Sequence, residues 1–260
     1  MSGSGLLLPN TRTTQHKTLC LNSSLAAISI ALNSKVRGIA LKMDIRNKQF
    51  GEDAQDALKQ ILLARRDVRG NNFLQRDIAA KHLDDILEAA QCAPSVGLSQ
   101  PWQIVLIKEA DTKATIYQNC QKQTNLAAAS FTSDKQTQYH KLKLDGIIEA
   151  PLNMAVYYTP PQVPIIGNNT MPEVGEYSVV CAIQNMWLMA RALNIGMGWV
   201  SIIEPDEVNR VLNAPKHYKL IAYLCFGYSK TFYDIPELEE RQWQARRLRE
   251  DGIQFEGFSS

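Results

Sequence analysis

Several things are missing from this 260-residue chain, and each absence removes a class of function. Its five cysteines, Cys20, Cys92, Cys120, Cys181 and Cys225, form no CxxC pair and are odd in number. That spacing excludes a zinc ribbon and a disulfide framework, and it points to free thiols in a reducing, cytoplasmic compartment. Cys181 and Cys225 lie within apolar runs, so both are expected to be buried. The four histidines, His16, His82, His140 and His217, are scattered without ligand spacing, so no metal is expected. No apolar run approaches the roughly 18 residues that span a bilayer, so no membrane partner is expected. Gly196-Met197-Gly198 lacks the third glycine of a dinucleotide fingerprint, and neither a Walker sequence nor a G-x-S-x-G elbow occurs. The net charge of +2, from 28 Lys+Arg against 26 Asp+Glu, gives no reason to expect a nucleic-acid partner.

Acidic residues are also missing from positions 1–43, which carry Arg12, Lys17, Lys35, Arg37 and Lys42. The start and the body are therefore different kinds of sequence, and residues 1–42 are read as a leader. The reading that comes first is a start assigned too early, because Met43 is followed at once by ordinary charged sequence. A basic, hydroxylated transit peptide comes second, which would allow organelle import, and a binding arm third. Residues 43–260 form one domain. With 45% hydrophobic and 21% charged residues the chain is globular and long enough to bury a substantial core.

Apolar residues at Ala54, Ala57, Leu58, Ile61 and Leu62, and again at Leu83, Ile86, Leu87 and Ala90, fall at helical spacing. Residues 112–130 read as a helix, Thr132–His140 as a mobile polar segment, and Pro160–Asn169 as a long loop. Ile104–Ile107, Leu152–Tyr158, Trp199–Ile203 and Leu220–Phe226 read as strands, with a helix over Pro205–Leu212. Tyr177–Leu193 is apolar nearly all round and ends at Gly196-Met197-Gly198. A helix of that kind is buried on several sides, which suggests a second subunit. Helices outnumber strands, so the class is α+β, a short mixed sheet flanked by helices.

Three segments carry chemistry. Arg65-Arg66-Asp67-Val68-Arg69 gathers three guanidiniums at a helix end, and paired hydrogen bonds from arginine suit a phosphorylated ligand. The plain alternative is a solvated basic helix end. Ala93–Trp102, with two prolines, a glycine and two serines, is longer than the usual connector of about 2–6 residues and could grip a ring or ribityl chain. In Gly196-Met197-Gly198-Trp199-Val200-Ser201 the glycines let backbone approach a ligand closely. Trp187 and Trp199 read as core residues.

In this order the segments resemble the flavin-dependent nitroreductase family, whose members open with R-R-S-[IV]-R and continue to a Pro-Ser loop ending in Gln-Pro-Trp. The resemblance runs from about residue 54 to about 250. It is supported further by Leu142-Lys143-Leu144-Asp145-Gly146, by Tyr177-Ser178 with Cys181-Ala182 and Gln184-Asn185, and by Gly198-Trp199-Val200-Ser201. These stretches match one branch, in which Asp67 stands where ordinary nitroreductases have a small hydroxyl residue. Gly70-Asn71-Asn72 departs from that branch, which is one residue shorter and more acidic there. The resemblance implies an intertwined homodimer with flavin mononucleotide (FMN) at the subunit interface. It also implies that reduced FMN is the substrate, supplied by a separate flavin reductase and fragmented with dioxygen. The products would be 5,6-dimethylbenzimidazole, the lower ligand of vitamin B12, and erythrose 4-phosphate. Arg65, Arg66 and Arg69 would hold the phosphate and ribityl end, with Val68, Ser95, Gly97, Lys143 and Arg246 contributing to binding. Asp67 would move protons and Ser201 would hydrogen-bond the flavin, making these two the catalytic residues. Among three arginines Asp67 is expected to stay ionised. An NAD(P)H-dependent nitroreductase or flavin reductase, and a non-catalytic flavin-binding module, are the competing functions.

Overall fold

A computed structural model of the chain describes residues 47–258, so the leader at 1–42 lies outside the described residues. The central apolar run becomes strand β2, Leu152–Tyr158, buried along its whole length. It pairs antiparallel with β1, Trp102–Ile107, on one side and with β4, Lys219–Tyr228, on the other. β3, Ile195–Val200, pairs antiparallel with β4 and completes the order β1-β2-β4-β3. All these pairings are antiparallel, so the sheet is not the mixed one expected; a parallel contact occurs as an isolated bridge from Asp67 to Met197 at the β3 edge.

Alternation along the two central strands builds two cores. Leu152, Met154, Val156, Ala222, Leu224 and Phe226 face one core, with α2 (Ala80–Gln91) and α5 (Val174–Ala192) packed over it. Ala155, Tyr157, Tyr223 and Cys225 face the other, covered by α3 (Ala110–Ala128) and α6 (Pro205–Val211). Helix α1, Glu52–Ala64, has the expected periodicity yet buries none of its residues; Leu58, Leu62 and Leu63 are exposed.

Three further expectations need correction. Thr132–His140 is largely helical, α4 running Ser133–His140, because Tyr139 is buried against Phe131 and Trp243 and anchors it. Gly196 and Gly198 do not stop the long helix. Asn194 stops it in the left-handed conformation (φ 57°), and the glycines lie inside β3, which ends at Val200. Cys225 is buried, whereas Cys181 is exposed with Tyr177 and Val180 on a face of α5 that the described residues leave uncovered. The short helix α7, Glu237–Glu240, lies in the charged tail.

Candidate active site

Helix α1 delivers the arginine motif at its C-terminal end, where the last carbonyls need donors. Arg66 supplies them, its Nη1 donating to the carbonyls of Leu63 (2.6 Å) and Arg65 (2.7 Å), while Arg191 Nε donates to that of Ala64 (3.0 Å). A further Arg66 nitrogen donates to the carbonyl of Asp234, before α7. Arg65 stacks on Trp187, its guanidinium carbon 4.6 Å from the ring centroid. Trp187 in turn donates to the Arg66 carbonyl at 3.3 Å. It therefore braces the arginines rather than simply filling the core, a role that its place in an apolar helix concealed.

Beyond the helix the chain docks edge-on against β3. The Val68 N–H donates to the Met197 carbonyl at 3.0 Å. A Cβ on Gly198 would sit 2.3 Å from the Val68 carbonyl oxygen, and one on Gly196 would press into the Val68 side chain. The two glycines thus admit the arginine motif itself, as strand glycines admit another backbone. Buried Val68 acts as the wedge beneath it. This docking holds Asp67 from two sides. Its Oδ1 accepts the Trp199 N–H (3.2 Å), and its Oδ2 accepts from Arg69 Nε (2.6 Å). Burial raises the Asp67 pKa above the ordinary carboxylate range, although Arg69, the Trp199 N–H and Arg65 all pull it back. Desolvation is thus the largest single effect on Asp67, and the positive charges expected to keep it ionised act against it. Burial likewise lowers the Arg65 pKa; Asp67 opposes that, while the Arg66 and Arg246 charges reinforce it. Arg246 is therefore within electrostatic reach of the cluster. Ser201 is exposed just past the end of β3, two residues beyond the Trp199 amide that holds Asp67.

Arg65, Arg66, Asp67 and Arg69 line one cleft of about 130 Å³ with Pro236, Glu237 and Leu238. Among the described residues Arg66 Nε is buried without a hydrogen-bond partner. A lone buried donor among guanidiniums fits an anionic ligand. Glu237, tied to Arg241 at 3.1 Å, is a residue the sequence reading missed. Pro236 before a charged helix was its one signal.

Ser95 and Gly97 do not join this cleft. They sit beside the other end of α5, where the Val96 N–H donates to Ser178 Oγ at 3.1 Å and Ser95 Oγ accepts the Gln100 N–H at 3.0 Å. From Ser178 to Trp187 is nine residues, about 14 Å along the helix. Lys143 is close to the motif, but its ammonium is already held by Glu149 (3.1 Å) and Asp145 (3.6 Å). Gly70–Asn72 forms a 3-10 turn, with Gly70 at φ 51°. Asn72 pins it by donating to the Thr231 carbonyl (2.8 Å) and accepting the Thr231 N–H (3.2 Å). Among the described residues no cluster of His, Cys, Asp or Glu could hold a metal ion, and no helix is long and apolar enough to cross a membrane.

The Nitroreductase family model matches residues 62–228. A 5,6-dimethylbenzimidazole synthase of Rhodospirillum rubrum is 38% identical over 76% of this chain and 94% of its own length. Among solved structures, a BluB-like flavoprotein from Clostridium difficile superposes with a TM-score of 0.57 at 22% identity, covering 79% of this chain and 99% of that one. Iodotyrosine deiodinase bound to FMN and 3-iodo-L-tyrosine gives 0.57 at 19% identity, covering 68% and 91%. The chain belongs to the nitroreductase family.

Proposed function

We propose that this nitroreductase-family chain is an oxygen-dependent enzyme, a 5,6-dimethylbenzimidazole synthase that fragments reduced FMN to 5,6-dimethylbenzimidazole and erythrose 4-phosphate, with the pyrimidine ring of the flavin leaving as a third, oxidised fragment. The name of its 38%-identical relative supports the product. The observation that carries the reading is Asp67, a carboxylate held at the head of an arginine cleft by the Trp199 N–H and Arg69. Reduced FMN supplies both the carbon skeleton and electrons, and dioxygen is the oxidant.

The residues divide the work. Arg65, Arg66 and Arg69, with Arg246 nearby, bind the phosphate and ribityl end through charge-assisted hydrogen bonds, and the unpartnered Arg66 Nε gains its acceptor. Asp67 takes and returns protons. Its raised pKa brings it nearer neutrality than a free aspartate, which favours transfer in both directions. Ser201 offers a hydroxyl on the same strand end. The cleft of about 130 Å³ suits a phosphate with its sugar chain but falls short of the roughly 300 Å³ a ring-bearing ligand needs. In this reading a second copy provides the remaining wall, bringing its own Ser95–Gly97 loop to the first copy's arginines. The uncovered apolar faces of α1 and α5 support such a homodimer. Residues 43–260 then constitute the flavin domain, in a cytoplasmic or organellar compartment, with reduced flavin delivered by a separate reductase.

The test is to mix the protein with reduced FMN and air and to look for 5,6-dimethylbenzimidazole by mass spectrometry. Its formation is expected. Its absence, with steady NAD(P)H oxidation in the presence of a nitroaromatic acceptor, would put the ordinary reductase in its place.

A further inference from the structure

Against the backbone that follows the arginine motif lies a second carboxylate that the mechanism does not use. Asp145 is 4% exposed. Its backbone carbonyl accepts the Gly70 N–H at 2.7 Å, directly after Arg69. Its Oδ1 accepts the Ile147 N–H (3.3 Å), a bond that a neutral asparagine would make as well. The charge needs another reason, because a buried carboxylate is retained only when a cation or several donors compensate it.

Lys143 supplies that reason. Its ammonium lies 3.6 Å from Asp145 Oδ2 and 3.1 Å from Glu149 Oε1. Burial works against the ammonium, and the two carboxylates outweigh it, holding its pKa above the ordinary value. Held this way, the stem lies across the Gly70 turn: a Cβ on Gly70 would fall 2.4 Å from Lys143 Cγ and 3.0 Å from Cε. From the other side, a Cβ on Gly146 would fall 2.5 Å from the Phe73 ring and 3.2 Å from the Gly70 nitrogen. The 143–146 and 70–73 segments are therefore interlocked, and the Gly70 turn sets the direction in which Arg69 leaves the backbone toward Asp67.

We propose that Asp145 is a positioning residue for the arginine motif, fixing Arg69 through Lys143 and the Gly70 turn. This rests on the reading that the arginines bind the flavin phosphate. Lys143 acts through its stem, and its charge is spent on Asp145 and Glu149 rather than on the flavin. Because Arg69 would grip the phosphate alike before and during the reaction, loosening it weakens binding more than turnover.

Three variants test this: Asp145→Asn, Glu149→Gln, and Asp145→Asn in a Lys143→Met background, which keeps a stem but no ammonium. Affinity for oxidised FMN is read by fluorescence, and KM and kcat with reduced FMN. Each single variant is expected to weaken oxidised FMN binding about five- to tenfold and to raise KM alike, with kcat within about twofold and little change in melting temperature. In the Lys143→Met background, Asp145→Asn should add less than about twofold, since the shared ammonium is gone. Wild-type affinity in Asp145→Asn overturns the proposal, as does loss in Asp145→Asn with Glu149→Gln unaffected. If Asp145→Asn fails to fold, Glu149→Gln alone decides. If the wild type forms no 5,6-dimethylbenzimidazole, the reaction reading fails while oxidised FMN affinity still decides the clamp.

Discussion

At the scale of single residues, Asp67 combines two opposed influences, and they predict different measurements. As a proton-transfer group its loss is costly: Asp67→Asn should keep flavin binding, read by fluorescence, yet form about 100- to 10,000-fold less 5,6-dimethylbenzimidazole. As a buried acid it also affects folding. Unfolded, it titrates near 3.8; folded, burial raises it despite Arg69. The native state then holds the proton more tightly, so Asp67's contribution to stability falls as pH rises from about 4 through the raised value. Melting temperatures of Asp67→Asn measured against wild type should therefore move in the variant's favour as pH rises above about 4. A constant difference across that range would mean that Arg69 cancels the burial.

At the scale of elements, β3 shows what sequence could and could not convey. The apolar runs at Leu152–Tyr158 and Leu220–Phe226 were legible because strands covered on both faces need no other pattern. The glycines of β3 were read as a break, since their use depends on a segment some 130 residues earlier in the chain. Gly198→Ala tests that use. A methyl 2.3 Å from the Val68 carbonyl must push the Asp67 segment off the strand. The expected cost is about 1–3 kcal/mol by thermal or denaturant unfolding, with loss of product formation beyond what the stability change explains. The arginine motif and Asp67 were likewise visible as residues. The order of effects on Asp67 was not, because desolvation is a property of what packs around it. Helix α4 was missed for a related reason: its polar sequence has one buried anchor, Tyr139, whose ring partners Phe131 and Trp243 lie outside the helix.

At the scale of the whole molecule, the faces of α1 and α5 imply more surface than the described residues of one copy hide. Light scattering at micromolar concentration should give the mass of a dimer. Cys181, exposed on α5 in the single chain, should then be alkylated more slowly than exposed Cys92, and its rate should rise on dilution. Equal rates at all concentrations would place the interface elsewhere. The length of α5 has a last consequence. If each site draws Asp67 from one chain and the Ser95–Gly97 loop from the other, ownership of a site is shared, and two defective proteins can repair each other. Asp67→Asn and a Gly97 variant, each inactive alone, would on subunit exchange form mixed dimers with one wholly wild-type site. Random mixing of equal amounts would restore about a quarter of all sites.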